Sequence, residues 1–550
     1  MPLTDELKSV ISGDVLDDHD TLEQYSTDAS LFRIKPAVVI FPRSVADIKA
    51  IVAFVVKHKR QRPDLSITAR AAGTDMTGGP LNESIILGFQ KYFNQPPIIN
   101  PAASLAITQP GVFYRNFERE TLKHNLLLPT YPASRELCAM GGLVNNNSGG
   151  EKTLRYGKTA DYVSELRAVL SDGNEYALRP ISEKELNKKM ARKDFEGQVY
   201  KKLYAIIAKN YELIQAAKPK VSKNSAGYNL WDVWNPNTGV FDITKIFVGA
   251  QGTLGIVTEA TLRLIRPEPH SQMLIVFLKN LETLGEIVKT VLNYQPTTFE
   301  SYDDKTLKLA LRFAPELMKR LGGVNLFTIL KNSLGELWAI VSGGLPKLVL
   351  QVTFEGDNAE ELRLRAETLR KKLQDFRPQY AEVIKTRAEA QEYWLIRRES
   401  FNLLRHKIHD KKTAPFVDDI VVDPRRLPEF LPSLNAILEE YDITYTVAGH
   451  IGNGNFHIIP LMDLTQADQR QIIPELSRRV YDLVIKYGGS ITGEHNDGLI
   501  RTPFLKQMYG EKIYALFEAA KNIFDPKNIF NPMKKVNADL DYALQHINTT

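Results

Sequence analysis

The sequence RAAGTDMTGG, residues 70–79, follows a strand-like run and sets three glycines among small side chains. Glycine lets backbone N–H groups come close to a ligand, and consecutive amides of such a loop can form an anion-binding concavity. The glycines are spaced neither as G-x-G-x-x-G nor as a P-loop, which argues against a Rossmann or nucleoside-triphosphatase fold. Taken alone, the segment also fits a tight turn that binds nothing.

Two more segments of this kind occur in the first half of the chain: YPASRELCAMGGLVNNNSGGEKTLRYG (131–157) and VGAQGTLGIVTEA (248–260). The earlier one contains two Gly-Gly pairs and three consecutive asparagines, whose amides can hydrogen-bond ring edges or phosphates. The later one carries three glycines and leads into a strand. Three such loops in one half of the chain predict a large, flat cofactor that is wrapped by backbone.

Length and composition limit the number of domains, the class of partner and the redox groups that the chain can hold. A length of 550 residues exceeds the roughly 250–300 that one core supports, so we expect at least two domains. The balance of 70 basic against 65 acidic residues is nearly neutral, which argues against a nucleic-acid partner. Cys138 is the single cysteine, so disulfides within the chain and a Cys-ligated iron–sulfur cluster are excluded. Electron transfer would need another carrier.

The first twenty residues are acidic and lack the order of a signal peptide, and no apolar run reaches membrane-spanning length. We therefore expect a cytoplasmic protein whose contact with a membrane is at most peripheral. The apolar stretch 326–350 lies in an insert, 305–350, whose role the sequence leaves open. It fits either docking on a membrane surface or a hydrophobic insert within a domain.

Strand-like and helix-like runs alternate along the chain. In the second half, the order strand then helix recurs from residues 272, 348 and 417, and a strand pair is expected at 444–462. This order predicts an α+β fold with helices on one face of a sheet. We predict two domains, 1–270 and 271–485, followed by a C-terminal segment, 486–550.

GHIGNGNFH, residues 449–457, predicts a hairpin because Asn-Gly between extended runs favours a two-residue turn. With Asn453 and Gly454 at the turn, His450 would face His457 on the same side of the strand pair. Opposed residues have Cβ atoms about 4.5–5.5 Å apart, so both imidazoles could bind one metal ion. A hydrogen-bonded pair at a sheet edge fits the pattern as well.

SITGEHNDGLIRTP, residues 490–503, provides a third metal-ligand candidate in Glu494. His495 follows directly, and adjacent residues of an extended chain point in opposite directions. One of the two could therefore bind metal while the other reaches a substrate. Two histidines and one glutamate leave coordination positions open, as a catalytic metal requires.

AEAQEYWLIRRESFNLLRHKIHDKK, residues 388–412, predicts a basic helix. Charged helix faces are usually only solvated. WLIR, residues 394–397, nevertheless resembles the W-x-x-R motif of the glycolate oxidase/D-lactate dehydrogenase/D-2-hydroxyglutarate dehydrogenase family, in which the Arg holds the substrate carboxylate. Arg397 is the matching residue, and a guanidinium can hold a carboxylate through two parallel hydrogen bonds.

The three glycine-rich segments, in this order, resemble the FAD-binding half of the vanillyl-alcohol-oxidase (VAO)/PCMH flavoprotein superfamily. YSTDAS (25–30) and AVVIFPRSVADI (37–48) resemble its opening. The resemblance implies a PCMH-type FAD-binding domain of two subdomains over residues 1–270. RAAGTDMTGG contains no His or Cys, and Cys138 occupies a position that is commonly Thr in relatives, so we expect non-covalent FAD. The FAD-binding residues that the resemblance implies are Arg70, Ala72, Gly73, Thr74, Asp75, Met76, Thr77, Gly78, Pro132, Ser134, Gly141, Gly142, Asn145, Ser148, Gly149, Gly252, Gly255, Ile256 and Asn531.

GHIGNGNFH and GEHNDG together resemble the C-terminal domain of the glycolate oxidase/D-lactate dehydrogenase/D-2-hydroxyglutarate dehydrogenase family, and FDPKNIFNP (524–532) resembles its closing motif. This implies an α+β substrate (cap) domain with an antiparallel sheet over 271–485. The helical segment 486–550 would complete the active site. Relatives usually have Asp at Asn453 and often Gly at Asn496. The HNDG variant resembles long flavin/iron–sulfur D-2-hydroxyglutarate dehydrogenases, whose iron–sulfur half is not present in these 550 residues.

The resemblance implies FAD-dependent oxidation of a D-2-hydroxy acid, of the D-lactate or D-2-hydroxyglutarate type, with the C2 hydride passing to flavin N5. A divalent metal, zinc in our expectation, would polarise the hydroxyl. The implied roles are metal binding for His450, His457 and Glu494, proton acceptance for His495, and carboxylate binding for Arg397 and Lys412. Phe401 replaces a small hydroxyl residue that is often found in relatives.

The electron acceptor is open among a quinone, an electron-transfer flavoprotein and a separate iron–sulfur protein. Two alternatives remain beside a dehydrogenase: the flavin subunit of a glycolate oxidase-like complex, and an oxidase that passes electrons to oxygen. The substrate among small 2-hydroxy acids, the metal and the oligomeric state are also open.

Overall fold

The protein is described by a computed structural model over residues 2–312, 341, 343–407 and 411–549. Up to residue 263, most strands belong to two sheets. In the first sheet, β2 and β3 run parallel to the strand between them, β4, and β1 pairs antiparallel at the edge. Its strands are β1 Asp14–Leu16, β2 Val38–Phe41, β3 Ile67–Arg70 and β4 Ile85–Gly88.

The second sheet is antiparallel, in the order β5-β6-β12-β7-β8. Its strands are β5 Ile98–Asn100, β6 Leu105–Thr108, β7 Val163–Val169, β8 Glu175–Leu178 and β12 Ile256–Arg263. A small sheet joins β9 Pro180–Ile181, β10 Trp234–Asn235 and β11 Val240–Asp242. The helices of this half are Leu3–Lys8, His19–Tyr25, Val45–His58, Tyr114–Leu122, Met140–Asn146, Thr153–Tyr156, Glu183–Met190, Phe195–Lys209, Tyr211–Ala217 and Thr244–Phe247.

The second half is built on one large antiparallel sheet, with the strand order β16-β13-β15-β14-β19-β20-β17 and β18 paired to β20. Its strands are β13 His270–Leu278, β14 Thr298–Asp303, β15 Leu348–Gly356, β16 Tyr380–Val383, β17 Lys412–Thr413, β18 Ile420–Val421, β19 Thr444–His450 and β20 Asn455–Met462. Helices follow at Leu284–Asn293, Asp304–Arg312, Ala359–Leu373, Arg387–Lys407, Leu427–Glu439, Ala467–Lys486, Gly498–Arg501, Leu505–Phe524 and Leu540–Gln545. The predicted α+β class with an antiparallel second sheet is confirmed.

Hydrophobic side chains pack against helices on both faces of this large sheet, because side chains alternate between the two faces along each strand. Leu274 of β13 packs in the main core with helices Leu284–Asn293 and Ala359–Leu373, whereas its neighbour Ile275 points to a second core that includes Tyr393. Tyr393 belongs to the helix Arg387–Lys407. The prediction of helices on one face only was therefore wrong, since a helix also covers part of the opposite face.

The C-terminal segment returns to the first sheet. Residue Ile67 of β3 exchanges backbone hydrogen bonds with Ile529 and Asn531, at 2.7 and 2.8 Å. The Nζ of Lys535 donates to Asp497 Oδ2 at 2.9 Å, and both side chains are fully buried. Because a buried ion pair is costly to break, this contact fixes the C-terminal segment beside the loop that carries Glu494.

Most of the apolar stretch at 326–350 lies outside the described residues. Membrane docking and a hydrophobic insert within a domain therefore both stay predictions for it. Within the described parts of the chain, no helix has both the length and the apolar character needed to cross a membrane. The domain boundaries at 270 and 485 stay a prediction.

Candidate active site

One cavity of about 630 Å³ lies between the glycine-rich loops of the first half and the large sheet of the second half. Its wall on one side is formed by the loops at residues 70–79, 132–149 and 251–257. Strand residues Thr446, Ala448, His450, His457 and Ile459 form part of the opposite wall. These side chains share one face of β19 and β20 because they alternate with residues that point away.

The loop 70–79 is held open by its own side chains. The guanidinium of Arg70 donates to the backbone oxygens of Thr27 and Tyr25, at 2.7 and 3.2 Å. Asp75 accepts hydrogen bonds from the amides of Thr77 and Gly79, at 3.0 and 2.9 Å. Among the predicted FAD residues of this loop, those on the cavity wall are Arg70, Ala72, Gly73, Thr74, Asp75 and Met76.

Thr77 and Gly78 do not reach the cavity wall. The Thr77 side chain is fully buried, with its hydroxyl donating to Asp75. A Cβ on Gly78 would lie 2.7 Å from the Phe32 ring, and its φ of +78° is one that glycine tolerates best. Both residues therefore shape the loop from behind.

The other two loops place most of their predicted residues on the wall: Pro132, Ser134, Gly141, Gly142, Asn145, Ser148, Gly149, Gly252 and Gly255. Ile256 does not line the cavity, because it is fully buried in the core under β12. Asn531 also stands behind the wall. Its Nδ2 donates to the backbone oxygens of Gly79 and Gln251, at 2.9 and 2.6 Å, so it ties the first loop to the third.

Three observations fit a bound dinucleotide. The volume lies within the usual range of about 300–1,000 Å³ for ligand sites. A Cβ built on Gly142 meets no protein atom within 4 Å, so this backbone faces open space. Asp28 lines the same wall, and in the described structure its buried Oδ2 has no hydrogen-bond partner, which calls for a polar ligand group there. Burial and the neighbouring Asp75 raise the pKa of Asp28 to about 7.

Cys138 lies on this wall but is buried, with 3% of its surface exposed. Burial raises the pKa of its thiol to about 12. A thiol with such a pKa carries little thiolate at neutral pH and is a poor nucleophile. Cys138 is therefore a buried and unreactive side chain of the cavity wall.

The hairpin at 449–457 has a different register from the predicted one. Ile451–Asn453 form a 3₁₀ turn and Gly454 has a φ of +66°, so His450 pairs with Asn455, and His457 pairs with Ala448. The two-residue Asn-Gly turn was therefore wrong. The pairing is shifted by two positions, and because strand side chains repeat every two residues, both imidazoles remain on one face. Their ring centroids lie 5.2 Å apart.

Three imidazoles converge on one carboxylate oxygen. The Nε2 atoms of His450, His457 and His495 lie 3.1, 3.5 and 4.0 Å from Glu494 Oε1. The other oxygen of Glu494 accepts from the buried Lys223 Nζ at 2.7 Å. The structure therefore brings together the predicted metal ligands and the predicted base.

Each of these imidazoles is oriented by a buried carboxylate. His450 Nδ1 donates to Glu300 Oε1 at 2.7 Å. His457 Nδ1 and His495 Nδ1 donate to the two oxygens of Asp418, at 3.0 and 2.6 Å. Since every Nδ1 carries the proton, every Nε2 can present its lone pair to a cation. Metal-binding histidines are usually oriented in this way.

The carboxylates and imidazoles perturb each other's pKa. Burial alone would lower the pKa of His495, but Asp418 and Asp419 outweigh it and raise this pKa to about 9. For His457, burial prevails over Asp418 and the pKa is lowered. Against burial, Lys223 and His450 hold the pKa of Glu494 well below its ordinary value.

Arg397 reaches the cavity wall from the helix Arg387–Lys407. Its Nε and Nη2 both donate to Glu300 Oε2 at 2.9 Å. Lys412 is not brought to the cavity. It begins β17 as an exposed residue, and its partner Met462 belongs to the face of β20 opposite His457. Strand alternation thus places Lys412 on the other face of the sheet from the cavity in the described structure, and its pairing with Arg397 as a carboxylate anchor stays a prediction. Phe401 lies among residues whose side chains the structure does not describe.

Comparison with known proteins agrees with this geometry. Residues 36–179 match the family model described as an FAD binding domain, and residues 267–535 match the C-terminal domain of FAD linked oxidases. The chain belongs to the VAO/PCMH superfamily of FAD-linked oxidoreductases. A solved VAO/PCMH-type neighbour, 4-ethylphenol oxidase from Gulosibacter chungangensis, has a TM-score of 0.66 and 16% identity, over 98% of this chain and 97% of that one. It supports the predicted fold.

Two curated relatives differ in length. D-2-hydroxyglutarate dehydrogenase of Escherichia coli is 27% identical over 516 residues, which cover 92% of this chain but 49% of the relative. The glycolate oxidase subunit GlcD of Bacillus subtilis is 27% identical over 525 residues, covering 94% of this chain and 92% of the relative. This VAO/PCMH chain thus spans about half the length of the D-2-hydroxyglutarate dehydrogenase and almost all of the GlcD subunit.

Sequence reasoning missed four buried charged residues of this VAO/PCMH site: Lys223, Glu300, Asp418 and Asp419. Asp419 accepts hydrogen bonds from the amides of Glu494 and His495, at 2.9 and 2.8 Å, and so holds that loop. The pair Asp418-Asp419 stands inside the apolar run FVDDIVV, and two adjacent carboxylates in a buried strand region are a signal that could have been used. Lys223 and Glu300 have no comparable local signal.

Proposed function

We propose that this protein oxidises a D-2-hydroxy acid, of the D-lactate or D-2-hydroxyglutarate type, to the 2-oxo acid with bound FAD. One observation carries the proposal: three imidazole Nε2 atoms meet at Glu494 on the wall of the FAD cavity, beside Arg397. A flavin site alone does not require such a cluster. A hydroxy acid needs both a group that activates its hydroxyl and a group that holds its carboxylate.

In this proposal, a divalent cation, zinc by its preference for His and Glu, is held by His450, His457 and Glu494. Two nitrogens and one carboxylate leave coordination positions open for a substrate oxygen. When bound, FAD accepts the C2 hydride, and the cation polarises the 2-hydroxyl and lowers the proton affinity of His495.

The residues of the chain then bind, orient and move one proton. The Arg397 guanidinium binds the C1 carboxylate. His495 takes the hydroxyl proton at Nε2, while Asp418 accepts from its Nδ1 and stabilises the resulting imidazolium. Ala448 and Ile459 keep the strand wall beside this point apolar. Lys412 has no part in this proposal.

We propose an external electron acceptor, which is a quinone, an electron-transfer flavoprotein or a separate iron–sulfur protein. A second candidate is a flavin subunit of a glycolate oxidase-like complex. The match to the GlcD subunit over nearly the full length of both chains favours it. Neither candidate involves nucleic acid, and we propose a cytoplasmic protein with at most peripheral membrane contact.

Anaerobic mixing of the FAD-loaded protein with D- and L-2-hydroxy acids tests the proposal. We expect a D-acid, and not its L-enantiomer, to bleach the oxidised flavin spectrum. If no acid on the panel reduces the flavin, the function is refuted. An acid that reduces the flavin without peroxide release in air would exclude the oxidase alternative.

Chelation tests the metal separately. Removal of the cation with a chelator should abolish flavin reduction by the acid but leave reduction by dithionite intact, and zinc should restore it. Turnover that survives complete chelation, verified by metal analysis, would rule out a catalytic cation.

A further inference from the structure

Glu300 is a buried carboxylate that the steps above do not use. It lies on β14 with 1% of its surface exposed. Its Oε1 accepts from His450 Nδ1 at 2.7 Å, and its Oε2 accepts from Arg397 Nε and Nη2, both at 2.9 Å. One carboxylate thus joins a proposed metal ligand to the proposed anion anchor, with a separate oxygen for each.

Packing alone does not explain a charge at this position. Taking a carboxylate out of water costs several kcal/mol, which only well-placed partners offset. Directly across the sheet, the neutral Gln351 fills the corresponding space on β15 and is itself fully buried. The buried neighbour on β15 thus carries no charge, and the charge of Glu300 is offset by its two partners, His450 and Arg397.

The contact with His450 keeps a proton on Nδ1, because a carboxylate can only accept. In this structure Nε2 donates in turn to Glu494 Oε1 at 3.1 Å, so Nε2 is the atom that would exchange its proton for a cation. The contact with Arg397 fixes an orientation, because two donors on one edge of a planar guanidinium meet the same oxygen. Both contacts use the same planar carboxylate group, whose two oxygens are about 2.2 Å apart.

We infer that Glu300 is a positioning residue that couples the anion anchor Arg397 to the metal ligand His450. This inference rests on the proposed function. In a 2-hydroxy acid the carboxylate carbon and the hydroxyl-bearing carbon are bonded neighbours, so the two binding groups must keep one short spacing. Glu300 holds that spacing and thereby selects 2-hydroxy acids over 3-hydroxy acids.

Two substitutions and a control test this role. Glu300→Gln keeps the size of the side chain but removes the negative charge that His450 and Arg397 both face, so neither contact remains a charge-assisted hydrogen bond. Glu300→Asp keeps the charge but is one methylene, about 1.5 Å, shorter and cannot reach both partners. Thr298→Val is the matched control. Thr298 lies two residues away on the same face of β14, and its buried Oγ1 has no hydrogen-bond partner in the described structure.

The first readout is zinc affinity of the FAD-loaded protein, measured without substrate by competition with a chelating dye. We expect Glu300→Gln to weaken zinc binding about 10- to 100-fold, as removal of an outer-shell partner does. Thr298→Val should stay within twofold of the parent protein. Flavin absorbance and the thermal midpoint confirm that each variant is folded.

The second readout is substrate use at saturating zinc. We expect Glu300→Gln to raise the KM for the 2-hydroxy acid at least tenfold and to reduce the preference over the 3-hydroxy isomer. The double variant Glu300→Gln/Arg397→Gln should have a KM within twofold of the KM of Arg397→Gln alone, because Glu300 affects the KM through Arg397. Glu300→Asp should preserve zinc affinity or KM, but not both.

Normal zinc affinity in Glu300→Gln, or a normal KM at saturating zinc, would overturn the coupling, and so would a Glu300→Asp variant normal in both. Failure of the proposed function is a separate result. If no 2-hydroxy acid reduces the flavin of the parent protein, the zinc titrations still apply. Arg397→Gln should then shift zinc affinity only while Glu300 is present, and equal shifts in both backgrounds would refute the inference.

Discussion

Asp418→Asn is the substitution whose effect the structure defines most sharply. Asp418 is fully buried and gives one oxygen to His457 Nδ1 at 3.0 Å and the other to His495 Nδ1 at 2.6 Å. Asparagine offers one oxygen and one NH₂ group in the same space. Whichever way the amide turns, one imidazole faces a donor and must move its proton to Nε2, the atom that points at Glu494.

The size of the effect follows from these contacts. If the amide oxygen stays with His495, His457 loses its lone pair for the metal, and zinc affinity should fall about 10- to 100-fold. In either orientation the His495 imidazolium loses its carboxylate partner. The corresponding change in a Ser-His-Asp triad lowers kcat about 10⁴-fold. Because a bound cation shares the activation here, we expect a loss of about 10²- to 10³-fold at saturating zinc, or about 3–4 kcal/mol.

The assay is anaerobic stopped-flow reduction of the flavin by the D-2-hydroxy acid, at zinc concentrations up to saturation. Asp303→Asn is the matched control, since Asp303 lies at the end of β14 and accepts from the amides of Thr306 and Val447, at 2.8 and 3.2 Å, without touching a histidine. It should stay within threefold of the parent rate. A rate within threefold for Asp418→Asn at saturating zinc would refute the role of Asp418 and the assignment of His495 as base.

Three further outcomes are expected. Gly142→Ala should weaken FAD binding at least tenfold, because the added Cβ enters the cavity. The same substitution should stabilise the FAD-free protein by up to about 1 kcal/mol, since Gly142 lies in a helix and alanine favours a helix. Unchanged FAD affinity would contradict the placement of Gly142 on the cavity wall. Lys412→Met should change the KM less than threefold, whereas Arg397→Met should raise it at least 30-fold; equal effects would restore Lys412 as an anchor. Zinc added at pH 7 should release about one to two protons, because nearby carboxylates raise the pKa of His450 and of His495, the latter to about 9. The released protons are measured in a weakly buffered solution. Zinc uptake without proton release would refute a zinc site at these histidines.

The glycine-rich loops were predictable because their chemistry is local. Whether a backbone can approach a ligand depends on the residue at that position, and most of the residues predicted for FAD do line the cavity. The four exceptions are Thr77, Gly78, Ile256 and Asn531, which face the protein and not the cavity. Thr77 and Asn531 make their hydrogen bonds within the protein, and Ile256 turns into the core. A motif shows that a loop approaches a ligand, but not which side of the loop each residue takes.

The hairpin shows how a wrong register can still give the right neighbours. The sequence favoured an Asn-Gly turn, but a Cβ on Gly454 would lie 1.8 Å from the backbone oxygen of Val422, so this residue is pressed against the β18 side of the sheet. The turn begins at Ile451 instead. Tertiary contact, which the local sequence does not encode, overrides the two-residue turn. Because the shift is even, His450 and His457 keep their common face.

The carboxylates that orient the histidines could not be derived in this way. Glu300 lies 150 residues before its partner His450, and Asp418 lies 77 residues before His495. Their pairing depends on the strand order β14-β19-β20-β18 in the sheet, which places β14 beside one histidine strand and β18 beside the other. The sequence predicts which imidazoles meet, and sheet topology decides which carboxylates orient them.

The orientation of the three imidazoles by buried carboxylates has an electrostatic consequence for the site. Without a cation, neutral imidazoles would direct three Nε2 lone pairs at the Glu494 carboxylate, an arrangement that repels itself in a buried environment. Only protons on the imidazoles or a divalent ion between them and Glu494 remove the repulsion. Raised pKa values for His450 and His495 are the first solution, and a metal centre is the second. The orienting carboxylates Glu300 and Asp418 serve both: they raise the pKa of His450 and His495, and by keeping each Nδ1 proton in place they leave Nε2 as the atom at which a proton and a metal ion would compete.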